Sequence, residues 1–169
     1  MKTLELKHIS PYLPYGLKVT FEGDDCIHEV VGLSIASKGV ELISPFGDYG
    51  RANIKDCRLI LRPLSDLTKE IEHNGERFIP IMRIFGGDTY EHDYKYEISI
   101  VEKPIVGKRI EISVKGLGSP VVSFSVSNIL NNPLSYSQWK ELLEWHFDIY
   151  ELIERGLAID INDLKEELK

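Results

Sequence analysis

Glu91-His92-Asp93 is the densest grouping of potential metal ligands in the chain, following directly on a loop that holds Gly86-Gly87-Asp88. Carboxylates and an imidazole are the donors a hydrolytic zinc or similar ion takes, but such a site needs three or four ligands converging from separate elements. Neighbours in an extended segment point to opposite faces, and the chain has no HExxH pair to fix two donors on one helix face. The triplet reads as a solvated polar loop, with a metal-assisted hydrolase using His92 and Asp93 or Glu91 as an alternative. His146 sits among apolar residues and reads as a packed histidine bonded to a backbone carbonyl or a carboxylate. His8, His28 and His73 are scattered, there is no G-x-S-x-G, and Gly116-Leu117-Gly118-Ser119 runs into Pro120 where a phosphate loop would open a helix. No catalytic residue, metal ligand or cofactor is assigned.

Recognition by contact is better represented. Tyr12, Tyr15, Phe46 and Tyr49 could line a binding groove, because exposed aromatics contribute heavily to interfaces. The net charge is −7, of which −5 falls from Pro133 onward, so the rest is nearly balanced. The densest basic groupings are Lys108-Arg109 and Arg58 with Arg62. Clustered Lys and Arg grip phosphate backbones, so a small-barrel nucleic-acid binder is a disfavoured alternative. At 43% hydrophobic and 28% charged residues the chain can bury a core. Cys26 and Cys57 lack CxxC spacing, Met1 to Leu6 lacks the apolar run of a leader, and no stretch approaches roughly 20 apolar residues. The expectation is a cytoplasmic protein with two free thiols and no membrane partner.

The elements that would position these residues are short. Leu17 to Phe21 alternates apolar and polar with period two, Ile27 to Ile35 follows, and Ser37-Lys38-Gly39 turns into Val40 to Ile43. Ser44 to Gly50, with Pro45, Gly47 and Gly50, reads as a loop, and Cys57 to Leu61 as a further strand. Leu64-Ser65-Asp66-Leu67 is expected as a helical turn. Asn74-Gly75 suits a type I′ turn that pairs Glu72 with Arg77 and Ile71 with Phe78. Alternation from Tyr94, again from Arg109 to Lys115, and from Val121 to Val126 predicts an antiparallel meander.

One amphipathic helix is expected from Ser135 to Gly156, with Ser135 and Gln138 spaced as a capping box and Gly156 as its stop. On that helix Trp145 and Leu152 widen the apolar arc beyond what one sheet covers, which marks them as a partner-binding flank. A short terminal helix follows, capped by Asp160 or Asn162.

The runs Ile60-Leu61-Arg62-Pro63-Leu64-Ser65-Asp66-Leu67-Thr68-Lys69-Glu70-Ile71 and Leu142-Leu143-Glu144-Trp145-His146-Phe147-Asp148, continuing to Gly156-Leu157-Ala158-Ile159-Asp160-Ile161-Asn162, resemble uncharacterised proteins from phages and prophages of gut Bacteroidetes. The resemblance covers about the first seventy residues and the last thirty, with the block from Gly86 to Asn131 as a departure or insertion. It implies a bacterial cytoplasm and a mobile-element origin, and it transfers no site residue. The fold expected is α+β, mainly β: a small N-terminal β-barrel-like sheet, a second antiparallel β block and a closing C-terminal amphipathic helix. The chain reads as a single domain over 1–169, subdivided as 1–85, 86–132 and 133–169. The function expected is a non-catalytic interaction or assembly protein of phage or prophage origin that binds a protein partner or itself.

Overall fold

Period-two stretches become strands where each buries one face. The computed structural model describes residues 3–22, 26–86, 97–103, 109–115, 122–125 and 134–167. It is α+β and mainly β, divided into two compact units: Met1–Pro63 with Lys140–Lys169, and Leu64–Trp139.

In the first unit β1 (Lys18–Phe21), β2 (His28–Ser34), β3 (Gly39–Ile43), β4 (Tyr49–Asn53), β5 (Cys57–Leu61) and the late strand β11 (Ala158–Asp160) make one sheet in the order β11-β5-β1-β2-β3-β4. All neighbours are antiparallel except β11, which lies parallel to β5. Interior position explains the near-continuous apolar run of β5, where Cys57, Leu59, Ile60 and Leu61 are buried and only Arg58 is exposed. Leu17, Val19, Val30, Val40 and Leu42 are buried with them. The sheet is open among the described pairings, with β11 and β4 as its edges, so the barrel-like closure expected from the sequence is not seen there.

The C-terminal helix is shorter than expected: α3 spans Tyr136–Glu144 rather than Ser135 to Gly156. Its start is as read, since Ser135 N–H donates to Gln138 Oε1 at 2.8 Å and Gln138 N–H to Ser135 Oγ at 3.4 Å. Its end is set by His146 at φ 59°, from which the His146 and Phe147 N–H groups reach back to the Leu143 and Leu142 carbonyls. This left-handed stop is normally glycine's, so composition gave no sign of it. The same hydrogen-bond pattern recurs at Gly156 (φ 69°), whose N–H and that of Leu157 reach Ile153 and Leu152. Gly156 therefore closes a separate turn, not the helix that starts at Ser135. α4 (Ile161–Glu167) is capped by Asp160, whose Oδ1 accepts the Asn162 N–H at 2.8 Å. The short helix α1 (Leu6–Ile9) opens the unit.

In the second unit β6 (Ile71–His73) and β7 (Glu76–Phe78) pair in the register read from the sequence, with Asn74 at φ 51° and Gly75 at φ 80° in the turn. A 3-10 turn at Leu64–Thr68 precedes them. After them comes α2 (Pro80–Gly86), begun by a proline whose missing N–H is no loss in a first turn. Strands β8 (Glu97–Lys103), β9 (Arg109–Lys115) and β10 (Val122–Ser125) form the expected antiparallel meander. Gln138 Nε2 donates to the Ile84 carbonyl at 2.9 Å, tying the start of α3 to α2.

Candidate functional site

Two groups of residues in the first unit carry polar or aromatic chemistry, one buried and one exposed. The buried group surrounds the segment that leaves α3. Tyr12 has no exposed surface; its hydroxyl donates to the Phe147 carbonyl at 2.7 Å and accepts the Ile149 N–H at 3.4 Å. Burial pushes its phenol well above the ordinary tyrosine range. Asp148, also buried, accepts the Leu152 and Ile153 N–H groups at 2.8 Å each. Burial raises its carboxyl above the ordinary value, against the lowering effect of those backbone donors. The Arg62 N–H donates to His146 O and the Asp148 N–H to Arg62 O, both at 2.8 Å, so residues 146–148 run beside the end of β5 as a parallel bridge.

Histidine chemistry is spent in the same way. His146 is half-buried, stacks on Tyr12 with ring centroids 6.5 Å apart, and stops a helix rather than sitting mid-face on one. His8 is buried against Tyr150, and its Nδ1 accepts the Glu5 N–H at 3.1 Å, which leaves the ring proton on Nε2. Desolvation first, and then the Arg155 charge, lowers the His8 pKa. The His8 Nδ1 bond fixes backbone, and the two ring contacts are packing. Among the described residues no group of three or more His, Cys, Asp or Glu is placed to hold a metal ion. Cys57 is buried, and burial pushes its thiol up to about 11, far from a reactive thiolate.

The exposed group is the β3–β4 hairpin. Ser44 begins its loop: the Ser44 N–H donates to Asp48 O at 2.8 Å, and Ser44 Oγ accepts the Phe46 and Asp48 N–H groups at 3.2 and 3.1 Å. The loop holds Phe46 84% exposed and Tyr49 80% exposed, three residues apart in sequence. Strand β4 lies at the sheet edge with Tyr49, Gly50, Arg51 and Asn53 exposed. Its ladder partner β3 sets the parity: Ser44 bonds Asp48 and Ile54 bonds Lys38, so the intervening bonded pairs are Leu42 with Gly50 and Val40 with Ala52. The backbone groups of Tyr49, Arg51 and Asn53 therefore point away from β3. The Arg51 guanidinium pairs with Glu41 at 2.9 Å across the strands. Gly32 makes room for that carboxylate, since a Cβ there would stand 2.7 Å from Glu41 Oε2.

The residues singled out from the sequence fall on both sides of this division. Tyr12 belongs to the core, not to a groove, and Tyr15 is half-buried; Phe46 and Tyr49 are both exposed on the hairpin. Trp145 and Leu152, expected as a partner-binding flank, are 4% and 0% exposed. That flank presupposed one helix through residue 156; with the helix ended at Glu144, both side chains are core. Glu91, His92 and Asp93 lie outside the described residues. Sequence reading missed β4 altogether, because Tyr-Gly-Arg-Ala-Asn has no apolar alternation. One signal was present: Glu41 and Arg51 stand symmetrically about the Ser44–Asp48 turn, as opposite charges on paired strands do. Compared with family models, curated proteins and solved structures, the chain matches none.

Proposed function

We propose that the chain is a non-catalytic interaction protein whose docking element is the β3–β4 hairpin with its open edge. The observation that carries this reading is the combination of two aromatics, Phe46 and Tyr49 at 84% and 80% exposure, with an edge strand on which the Tyr49 and Arg51 backbone groups and the Asn53 N–H face away from β3. Aromatic anchors supply contact area at little entropic cost, and a strand edge supplies directional hydrogen bonds. The buried His8, Tyr12 and Asp148 support the non-catalytic side of the reading, since the bonds they make hold backbone in place. The resemblance of the runs at Ile60–Ile71 and Leu142–Asp148 to phage and prophage proteins motivates placing this docking in the assembly of a mobile element inside a bacterial cytoplasm.

The test is a Phe46→Ser/Tyr49→Ser double variant, with a photo-crosslinking residue at the exposed position 48 of both the wild-type and the variant chain. Both side chains are exposed, so the double variant keeps the wild-type melting temperature within about 2 °C. The reading requires loss of the crosslinked adduct and of association; a double variant that associates as the wild type does would overturn it.

A further inference from the structure

We infer that the corner where α1 meets residues 150–155 is a binding site for a phosphate group, held by His8, Arg155 and Tyr150. The inference goes beyond the docking reading, because residues 150–155 lead into β11, at the sheet edge opposite β4. His8 is 3% exposed, its ring lies 5.8 Å from the Tyr150 ring, and its Nδ1 accepts the Glu5 N–H at 3.1 Å. That bond leaves the proton on Nε2, the ring nitrogen turned away from the Glu5 backbone. Nothing among the described residues accepts it.

Arg155 repeats the pattern with a charge. Its Nη1 donates to the Tyr150 carbonyl at 3.4 Å, while its Nε is buried with no partner among the described residues. No carboxylate among those residues is within ion-pair distance of it; Glu5, whose charge reaches both Arg155 and His8, is paired with Lys7 at 3.0 Å. Lys7 and Arg155 against Glu5 leave the corner net positive. Tyr150 is half-buried, and its hydroxyl too has no partner among the described residues. Buried donors in folded proteins are nearly always bonded, and an orphan on a charged group is the costliest kind. A water brings two lone pairs and no charge, so it leaves the guanidinium uncompensated. A carboxylate is planar and is matched by a guanidinium alone. A phosphate group carries three strong acceptor oxygens and negative charge, enough for all three side chains at once.

Titration of the full chain with inorganic phosphate at constant ionic strength, read on the His8 Nε2–H and Arg155 Nε–H resonances, tests this. His8→Asn keeps an acceptor for the Glu5 N–H and removes the Nε2 donor; Arg155→Lys keeps the charge and removes the Nε donor. The inference expects both wild-type resonances to shift with a dissociation constant below about 10 mM, binding about tenfold weaker in each variant, and no comparable shift with acetate. Glycerol phosphate separates the two sources of such a group. Tighter binding than inorganic phosphate assigns the site to a phosphoryl group on a larger molecule, and weaker binding to the free anion; either supports the inference. Resonances that stay in place overturn it, and so does acetate acting as phosphate does. Wild-type affinity in both variants overturns it as well. A dissociation constant above about 10 mM means an adventitious ion only, and that also overturns it. The wild-type resonances decide the matter even where a variant does not fold.

Discussion

Tyr12 shows how a residue type that suggests recognition serves the core instead. Its hydroxyl is the only described side-chain group bonded to both Phe147 O and Ile149 N, and it is fully buried. Tyr12→Phe keeps the ring but removes the hydroxyl, leaving Phe147 O and Ile149 N–H with only their mutual 2.9 Å bond, so it should cost about 0.5–1.5 kcal/mol in urea unfolding without altering association. His8 carries a pH signature. Its folded pKa is lowered from the ordinary 6.5 by desolvation and by Arg155, so the unfolded chain takes up the proton first as pH falls. The stability it contributes is present above 6.5 and is lost as pH falls through the lowered folded value. Asp148 has the opposite sign: its raised folded value means the native state holds the proton longer, and stability declines as pH rises through that value. In His8→Asn the amide oxygen can still accept the Glu5 N–H. The acid-side loss of stability that sets in below the ordinary 6.5 should therefore flatten in chemical denaturation across pH; an unchanged slope would assign that loss to other groups.

At the scale of elements, the contrast lies between the segment after α3 and the hairpin. Leu152 is fully buried, so Leu152→Ala should destabilise by about 2–5 kcal/mol, measured by urea unfolding. Tyr49→Ala should change stability by less than about 0.5 kcal/mol. The reverse ranking would mean that Leu152, not Tyr49, is the surface residue the sequence reading took it for. What was legible follows a physical rule in each case. Period-two alternation located β1, and apolar runs bounded by turn residues located β2, β3 and β5. Asn74-Gly75 fixed the register of β6 and β7, because few other pairs accept two positive φ angles. The hidden features depend on partners distant in sequence. β4 is a strand only because β3 pairs with it, and β11 only because β5 does. The helix stop at His146 is held by Arg62, far along the chain, so local periodicity ran on past it to Gly156. Of the candidate site, Phe46 and Tyr49 were visible as aromatics, while the outward set at Tyr49, Arg51 and Asn53 required the pairing register.

For the molecule as a whole, a first unit made of Met1–Pro63 and Lys140–Lys169 carries an exposed hairpin on one edge of its sheet. No helix among the described residues is long and apolar enough to cross a membrane. The account's central claim is that the β4 edge is where this chain is met by another strand, and backbone amide exchange reads that edge residue by residue. Gly50 and Ala52 are bonded within the β3–β4 ladder and should exchange slowly at every protein concentration. Tyr49, Arg51 and Asn53 should exchange fast in the free chain and slow markedly once the partner captured at the hairpin is bound. Exchange at those three amides that stays equally fast with and without the bound partner would contradict docking at this edge.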